Sequence, residues 1–295
     1  MVTIAQALAR ATSGATPVDE TAESLRFEAE LLLMNALGYS RASLLTWPER
    51  EIAPSALASF EQALSRRLAG EPIAYILGTK EFWDFELVVS PAVLIPRPET
   101  ELLVESALEI VAHREGIQHL LDLGTGSGAV AIALARAAER IRVIGTDLSC
   151  DALTLARENG GRLAGDNLGF VQGSWLCHEL CAAIAEYWKA DAAGLVDVIV
   201  SNPPYIAPED PHLSRGDLVH EPTPALSCDD AGLSAIKTIV SESKRVLKRG
   251  GWLLFEHGFD QRDAVADLLR AAGFDSIECL QDIAGQDRVT RGRLS

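Results

Sequence analysis

The chain has 295 residues, 48% of them hydrophobic, which suffices for a large core and exceeds one ordinary domain. Against 26 basic side chains stand 42 acidic ones, a net charge of −16 that argues against broad, sequence-independent contact with a phosphate backbone. Five scattered cysteines (Cys150, Cys177, Cys181, Cys228 and Cys279) form no Cys-x-x-Cys pair and have no His at zinc-site spacing, so they read as free thiols.

The first residues lack a basic stretch followed by an apolar run, and no run of about 18 apolar residues occurs. A cytoplasmic protein without a membrane contact is expected. Residues 1–71 read as a small helical domain, either a scaffold or a substrate-docking unit. Leu25, Ala29, Leu32, Leu33, Ala36 and Leu37 recur at helical spacing before Gly38. A second pattern starts at Pro54 and runs through Leu57, Phe60, Leu64 and Leu68 to Gly70. Residues 72–97 read as a linker. In it, 73–76 and 82–89 are expected to form two short strands around Gly78-Thr79, a β-hairpin, before a proline-rich loop. A helix through Leu102, Leu103, Ala107 and Ile110 follows.

The third part, residues 98–295, changes texture after residue 117. Apolar runs at 119–123, 142–145, 168–171, 196–200 and 252–255 are mostly separated by helical patterns, as at 129–138, 151–163 and 233–247. Such alternation predicts parallel βαβ units and an α/β, Rossmann-like doubly wound sheet. Residues 276–280 and 288–294 alternate as short strands, so the sheet is expected to end in an antiparallel hairpin.

Gly124-Thr125-Gly126-Ser127-Gly128 lies between the first of these strands and its helix, where glycines permit a tight turn and close approach of backbone to a ligand. By itself the pattern also fits a dinucleotide fingerprint. Asp147 closes the second strand about 20 residues on, where a carboxylate can accept both hydroxyls of an adenosine ribose. NAD and S-adenosylmethionine (SAM) share that ribose. Asp122, just before the glycines, sits badly beside a pyrophosphate but suits a ligand carrying an amino group and a sulfonium. That favours SAM.

The fourth strand ends in Asn202-Pro203-Pro204-Tyr205. Proline has a carbonyl but no N–H, so this turn presents acceptors: the Asn202 side-chain oxygen and the Pro203 carbonyl. Two acceptors suit the two hydrogens of a planar NH2 group, and Tyr205 can stack on its flat face. An amide or exocyclic amine nitrogen is a poor nucleophile because resonance ties up its lone pair. Fixing both hydrogens orients that lone pair for attack on a methyl sulfonium.

These residues resemble the HemK/PrmC family of peptide-chain release factor glutamine methyltransferases. The likeness runs through "GEPIAYILGTKEFW", "VSPAVLIPRPETELLVE", "LDLGTGSGAVAIALA", "SNPPYIAPEDPHL", "LLFEHG" and "DRVTRGRL". It implies a five-helix N-terminal domain, a hairpin linker and a class I SAM-dependent methyltransferase domain. It also implies the substrate, the glutamine of a Gly-Gly-Gln motif in release factors, methylated on its side-chain nitrogen. By position, Gly124 to Gly128 and Asp147 would bind SAM and Trp175 would lie against the adenine. Asn202, Pro203, Pro204 and Tyr205 would hold the glutamine, with Asn202 also near the cofactor, and Arg97 and Glu99 would shape the wall. Ser174 departs from the acidic residue that relatives often carry there, so a weaker bond to the adenine amine is expected.

The alternative reading is an amine methyltransferase acting on adenine of DNA or RNA. It shares the amine pocket but needs a basic surface, and Arg66-Arg67, Lys244-Arg245 and Lys248-Arg249 are only short doublets. No direct nucleic-acid contact is expected. A SAM-binding scaffold without activity is disfavoured by the intact amine pocket. His257 reads as structural, and His212 and His220 lie in a long loop without metal-ligand spacing, so no metal is expected. The protein is expected to be a monomer.

Overall fold

A computed structural model of the chain describes residues 2–13, 22–189 and 194–295. It divides into two compact units: Met1–Thr79 with Ser214–His220, and Lys80–Leu213 with Glu221–Ser295. Among the described residues, no helix is long and apolar enough to cross a membrane.

The first unit is helical: α1 (Ile4–Thr12), α2 (Ala22–Leu37), α3 (Arg41–Thr46), α4 (Pro54–Leu68) and α5 (Ile73–Leu77). Thr3 opens α1 with a reciprocal cap, its hydroxyl accepting the Gln6 N–H and the Gln6 side chain accepting the Thr3 N–H. Ile4, Leu8, Leu32, Leu33, Leu44 and Phe60 form its core. Arg67 is buried and donates to Glu28 at 2.8 Å. Burial, reinforced by the negative charge of Asp217, pushes the Glu28 carboxyl up to about 7.

Residues 73–77 were expected as a strand and are the helix α5. Pro72 stands at its N-cap, and Gly78, left-handed at φ 76°, closes it by donating to the Ala74 carbonyl. A five-residue apolar run fits either state, and these two end signals decide it. The hairpin lies further on, as β1 (Thr79–Phe82) and β2 (Phe85–Val88), and turns at Trp83, whose φ is 56°.

In the second unit a helical turn at Pro98–Thr100 leads into α6 (Glu101–Ala112). The chain then alternates through β3 (Gln118–Leu123), α7 (Ala129–Ala137), β4 (Ile141–Asp147), α8 (Cys150–Leu163), β5 (Leu168–Gln172), α9 (His178–Trp188) and β6 (Val196–Ser201). After two short turns, α10 (Thr223–Leu226) and α11 (Asp229–Gly232), come α12 (Ser234–Ser243), β7 (Leu247–Glu256), α13 (Arg262–Ala271), β8 (Phe274–Gln281) and β9 (Asp287–Leu294). Residue 247 was expected to end a helix and instead begins β7, because α12 stops at Ser243.

The sheet order is β5-β4-β3-β6-β7-β9-β8. The first five of these strands are parallel, whereas β9 runs antiparallel to both β7 and β8. Helices α6, α7 and α8 adjoin one another, and α9, α12 and α13 close a core with Leu121, Ile144, Ile199, Leu253 and Phe255. All six residues of β6 are buried, as expected of a strand covered on both faces. Fully buried Asn159 of α8 acts as a clasp. Its amide donates to the Val88 and Ser127 carbonyls and its oxygen accepts the Val88 N–H, tying β2 to the glycine loop.

Candidate active site

After β3 the chain builds β4 and β5 on one side, then returns to lay β6 on the other. The crevice of such a sheet opens where the winding reverses, at the carboxyl ends of β3 and β6. Leu123 and Ser201 are register partners there, and the Ser201 hydroxyl donates to the Leu123 carbonyl at 2.7 Å. One strand runs straight into the glycine loop, the other into Asn202-Pro203-Pro204-Tyr205. Two motifs far apart in sequence thus share one edge.

Gly124, Gly126 and Gly128 are all left-handed, at φ 75°, 54° and 88°, a conformation that side chains resist. The Gly124 and Thr125 N–H groups both donate to the Thr146 carbonyl. The Thr125 hydroxyl donates to Asp122 at 2.6 Å, and the Gly126 N–H donates to Asp147 at 3.0 Å. Gly145, mid-strand in β4, supports this loop: a Cβ there would stand 2.7 Å from the Thr125 hydroxyl oxygen and 2.8 Å from the Phe170 ring.

A cavity of about 430 Å³ opens at this edge, well sized for a small ligand. Of the residues singled out in the sequence, Gly124, Thr125, Gly126, Ser127, Asp147, Trp175, Asn202 and Pro204 line it, with Asp122, Arg97 and Ser174. Gly128, Pro203, Tyr205 and Glu99 do not. Gly128 instead faces α8, where a Cβ would stand 3.5 Å from Ala156 and 3.1 Å from Ile132. Glu99 is exposed. Apolar Val93, Pro96, Val130 and Leu148 supply walls that sequence reading did not single out.

Two buried acids stand close to this edge. Asp122 is 2% exposed and accepts hydrogen bonds from Thr125 and from the Ala131 N–H. Burial nevertheless pushes its carboxyl up to about 7, helped by the charge of Asp147. Glu256, at the end of β7, is 1% exposed, and burial pushes it up to about 7 as well. It accepts the Tyr205 phenol at 3.4 Å, and burial together with this carboxyl raises the phenol's pKa above its ordinary value.

The Asn202 amide nitrogen donates to the Thr100 hydroxyl at 3.2 Å. Among the described residues, no donor meets the Asn202 oxygen or the Pro203 carbonyl. The rest of the turn is pinned from below. Cys228 donates to the Pro204 carbonyl at 3.0 Å and Gln261 to the Tyr205 carbonyl at 2.9 Å. Fully buried Glu221 accepts the Ile95 N–H and pairs with Arg97, fixing the proline-rich loop as a wall. His257 is a core residue: its ring contacts the Thr290 hydroxyl at 2.7 Å and the Gly258 carbonyl at 2.8 Å.

Sheet order, glycine loop, strand-end acid and terminal hairpin together define a class I SAM-dependent methyltransferase fold. Residues 7–78 match the PrmC N-terminal domain and residues 116–290 a methyltransferase domain. The release factor glutamine methyltransferase of Vibrio cholerae is 49% identical over 92% of this chain and 90% of its own length. That of Coxiella burnetii is 42% identical over 99% of both chains, and that of Escherichia coli 40% identical over 93% and 94%. The chain therefore belongs to the release factor glutamine methyltransferase family. Among solved structures, the hMettl16 catalytic domain, in complex with MAT2A 3'UTR hairpin 6, is 16% identical over 82% of this chain and 81% of that one. Its TM-score of 0.53 speaks to the fold alone.

Proposed function

We propose that this chain transfers a methyl group from SAM to the side-chain amide nitrogen of the glutamine in the Gly-Gly-Gln motif of peptide-chain release factors. The observation that carries the reading is the placement of Asn202, its oxygen unengaged, on the wall of the glycine-loop cavity. The family's printed activity names an amide nitrogen as the group to be held.

The residues present suit SAM. Asp147 retains acceptor capacity beyond its bonds from Gly126 and Ser149 and fits a ribose diol. Asp122 offers a buried acid to an ammonium group, and Trp175 with Leu148 offers apolar surface to a purine. When bound, SAM supplies a methyl carbon on a sulfonium, which accepts an electron pair without prior activation. The protein's task is then to prepare the nucleophile.

Asn202 Oδ1 and the Pro203 carbonyl would accept the two hydrogens of the glutamine NH2. With both held, the nitrogen's lone pair can leave conjugation with its carbonyl and turn toward the cavity. The same acceptors stabilise the positive charge that develops on nitrogen. No dedicated base is required, since a methylated, cationic amide is strongly acidic and gives its proton to water. Incubating the protein with SAM and a release factor, then mapping the product by mass spectrometry, tests this reading. One added methyl on the Gly-Gly-Gln glutamine is the expected result. Modification of nucleic acid with an untouched release factor would replace it with the adenine reading.

A further inference from the structure

The buried carboxyl of Glu256 is not used by the chemistry above. It lies behind the substrate turn, joined to it by two side chains. The Tyr205 phenol donates to its Oε1, and the Thr100 hydroxyl hydrogen-bonds to the carboxyl and favours its charged form. Thr100 in turn accepts the Asn202 amide nitrogen. Oε2 is buried without a close partner of its own. A buried acid with an incompletely served oxygen is costly to keep, which calls for a reason.

Hydrogen-bond direction supplies one. An ionised carboxylate only accepts, so a hydroxyl beside it must donate its single proton to it. Once Thr100 has done so, its oxygen has only lone pairs left for Asn202. The Asn202 side chain must therefore turn its NH2 toward Thr100, leaving its oxygen for the substrate. Were Thr100 free to donate elsewhere, the amide could turn over and present NH2 to an NH2, two donors face to face.

We propose that Glu256 is a positioning residue that sets the polarity of Asn202 through Thr100, so that the glutamine amide always meets an acceptor. The inference rests on the assignment of Asn202 above. Other charged neighbours of Glu256 are Arg288, which favours its ionised form, and Glu99, which opposes it. Above neutrality the carboxylate prevails, and the relay has one direction.

The test is methylation of a release factor under saturating SAM at about pH 8.5, with SAM affinity and melting temperature measured alongside. Glu256→Gln keeps the shape but can donate to Thr100, so kcat is expected to fall by about tenfold or more. Thr100→Val is expected to fall likewise, and Thr100→Ser, which restores the hydroxyl, to return within about threefold of wild type. In all three, SAM affinity is expected to stay within about threefold, placing the loss in turnover rather than in cofactor binding. Wild-type turnover in Thr100→Val, or a Thr100→Ser as slow as Thr100→Val, would overturn the relay. If Asn202→Ala itself turned over normally, the failure would lie in the underlying assignment of Asn202, which distinguishes the two.

Discussion

The Asp147 carboxylate accepts the Gly126 N–H at 3.0 Å, binding the acid that closes β4 to the middle of the glycine loop. Its other oxygen takes the Ser149 N–H at 2.9 Å at the start of α8. One side chain thus shapes the loop and faces the cavity. Asp147→Ala should weaken SAM binding by about 10–100-fold, the worth of hydrogen bonds to a charged group. Calorimetry measures this directly, and affinity within twofold of wild type would remove Asp147 from the cofactor site.

Asn202→Ala should lower the rate of glutamine methylation by about 10²–10³-fold, the scale of losing one preorganised polar partner in a transition state. Single-turnover assays with saturating SAM report it. A rate near wild type would discredit Asn202 as the amide holder.

The Asp122 carboxyl, held up to about 7 by burial, predicts two opposite pH trends. In the absence of ligand, the folded state keeps this proton at pH values where the unfolded chain has released it. Its contribution to stability is therefore full below about pH 4 and is lost as pH rises toward 7. An ammonium-bearing ligand prefers the charged acid, so SAM binding should tighten by about tenfold from pH 6 to pH 8. Asp122→Asn should flatten that affinity profile and melt above wild type at pH 8 but not at pH 5. Parallel profiles for the two proteins would refute the assignment.

Gly232 is left-handed at φ 80°, and a Cβ there would fall 2.0 Å from the Tyr205 carbonyl oxygen. It follows Asp230 and Ala231, both also left-handed. Gly232→Ala should therefore push the substrate turn out of place, costing about 1–3 kcal/mol of stability. Turnover should fall while SAM affinity changes little. Denaturant titration and steady-state kinetics separate the two effects.

Ser174 lines the cavity beside Trp175. A carboxylate accepts a purine amine more strongly than a hydroxyl does, so Ser174→Asp should bind SAM about threefold or more tightly by calorimetry. Unchanged or weaker binding would show that this side chain does not meet the adenine.

The strand–helix alternation and both ligand loops were legible because each follows from a local rule: hydrophobic period, glycine turns, and prolines that end a strand. Residues 73–77 misled because Ile-Ala-Tyr-Ile-Leu is apolar throughout and has no period to betray its state. Helix α9 went unnamed for want of clear end signals. Glu256, Thr100 and Gly232 were invisible as functional residues for a different reason. Their roles exist only where β7, the proline-rich turn and the segment before α12 converge on Asn202 and Tyr205. Gly145 looked like an ordinary strand residue until Thr125 was found against it.

The bond from Ser201 to Leu123 joins positions 78 residues apart. As the polypeptide emerges, the half built by β3 to β5 can close early, whereas the amide-holding turn arrives only when β6 slides in beside β3. Parallel pairing across such a span is slow. A ligand gripped from both sides thus acts as a late inspector of assembly, sheltering finished molecules from proteolysis and leaving half-built ones exposed.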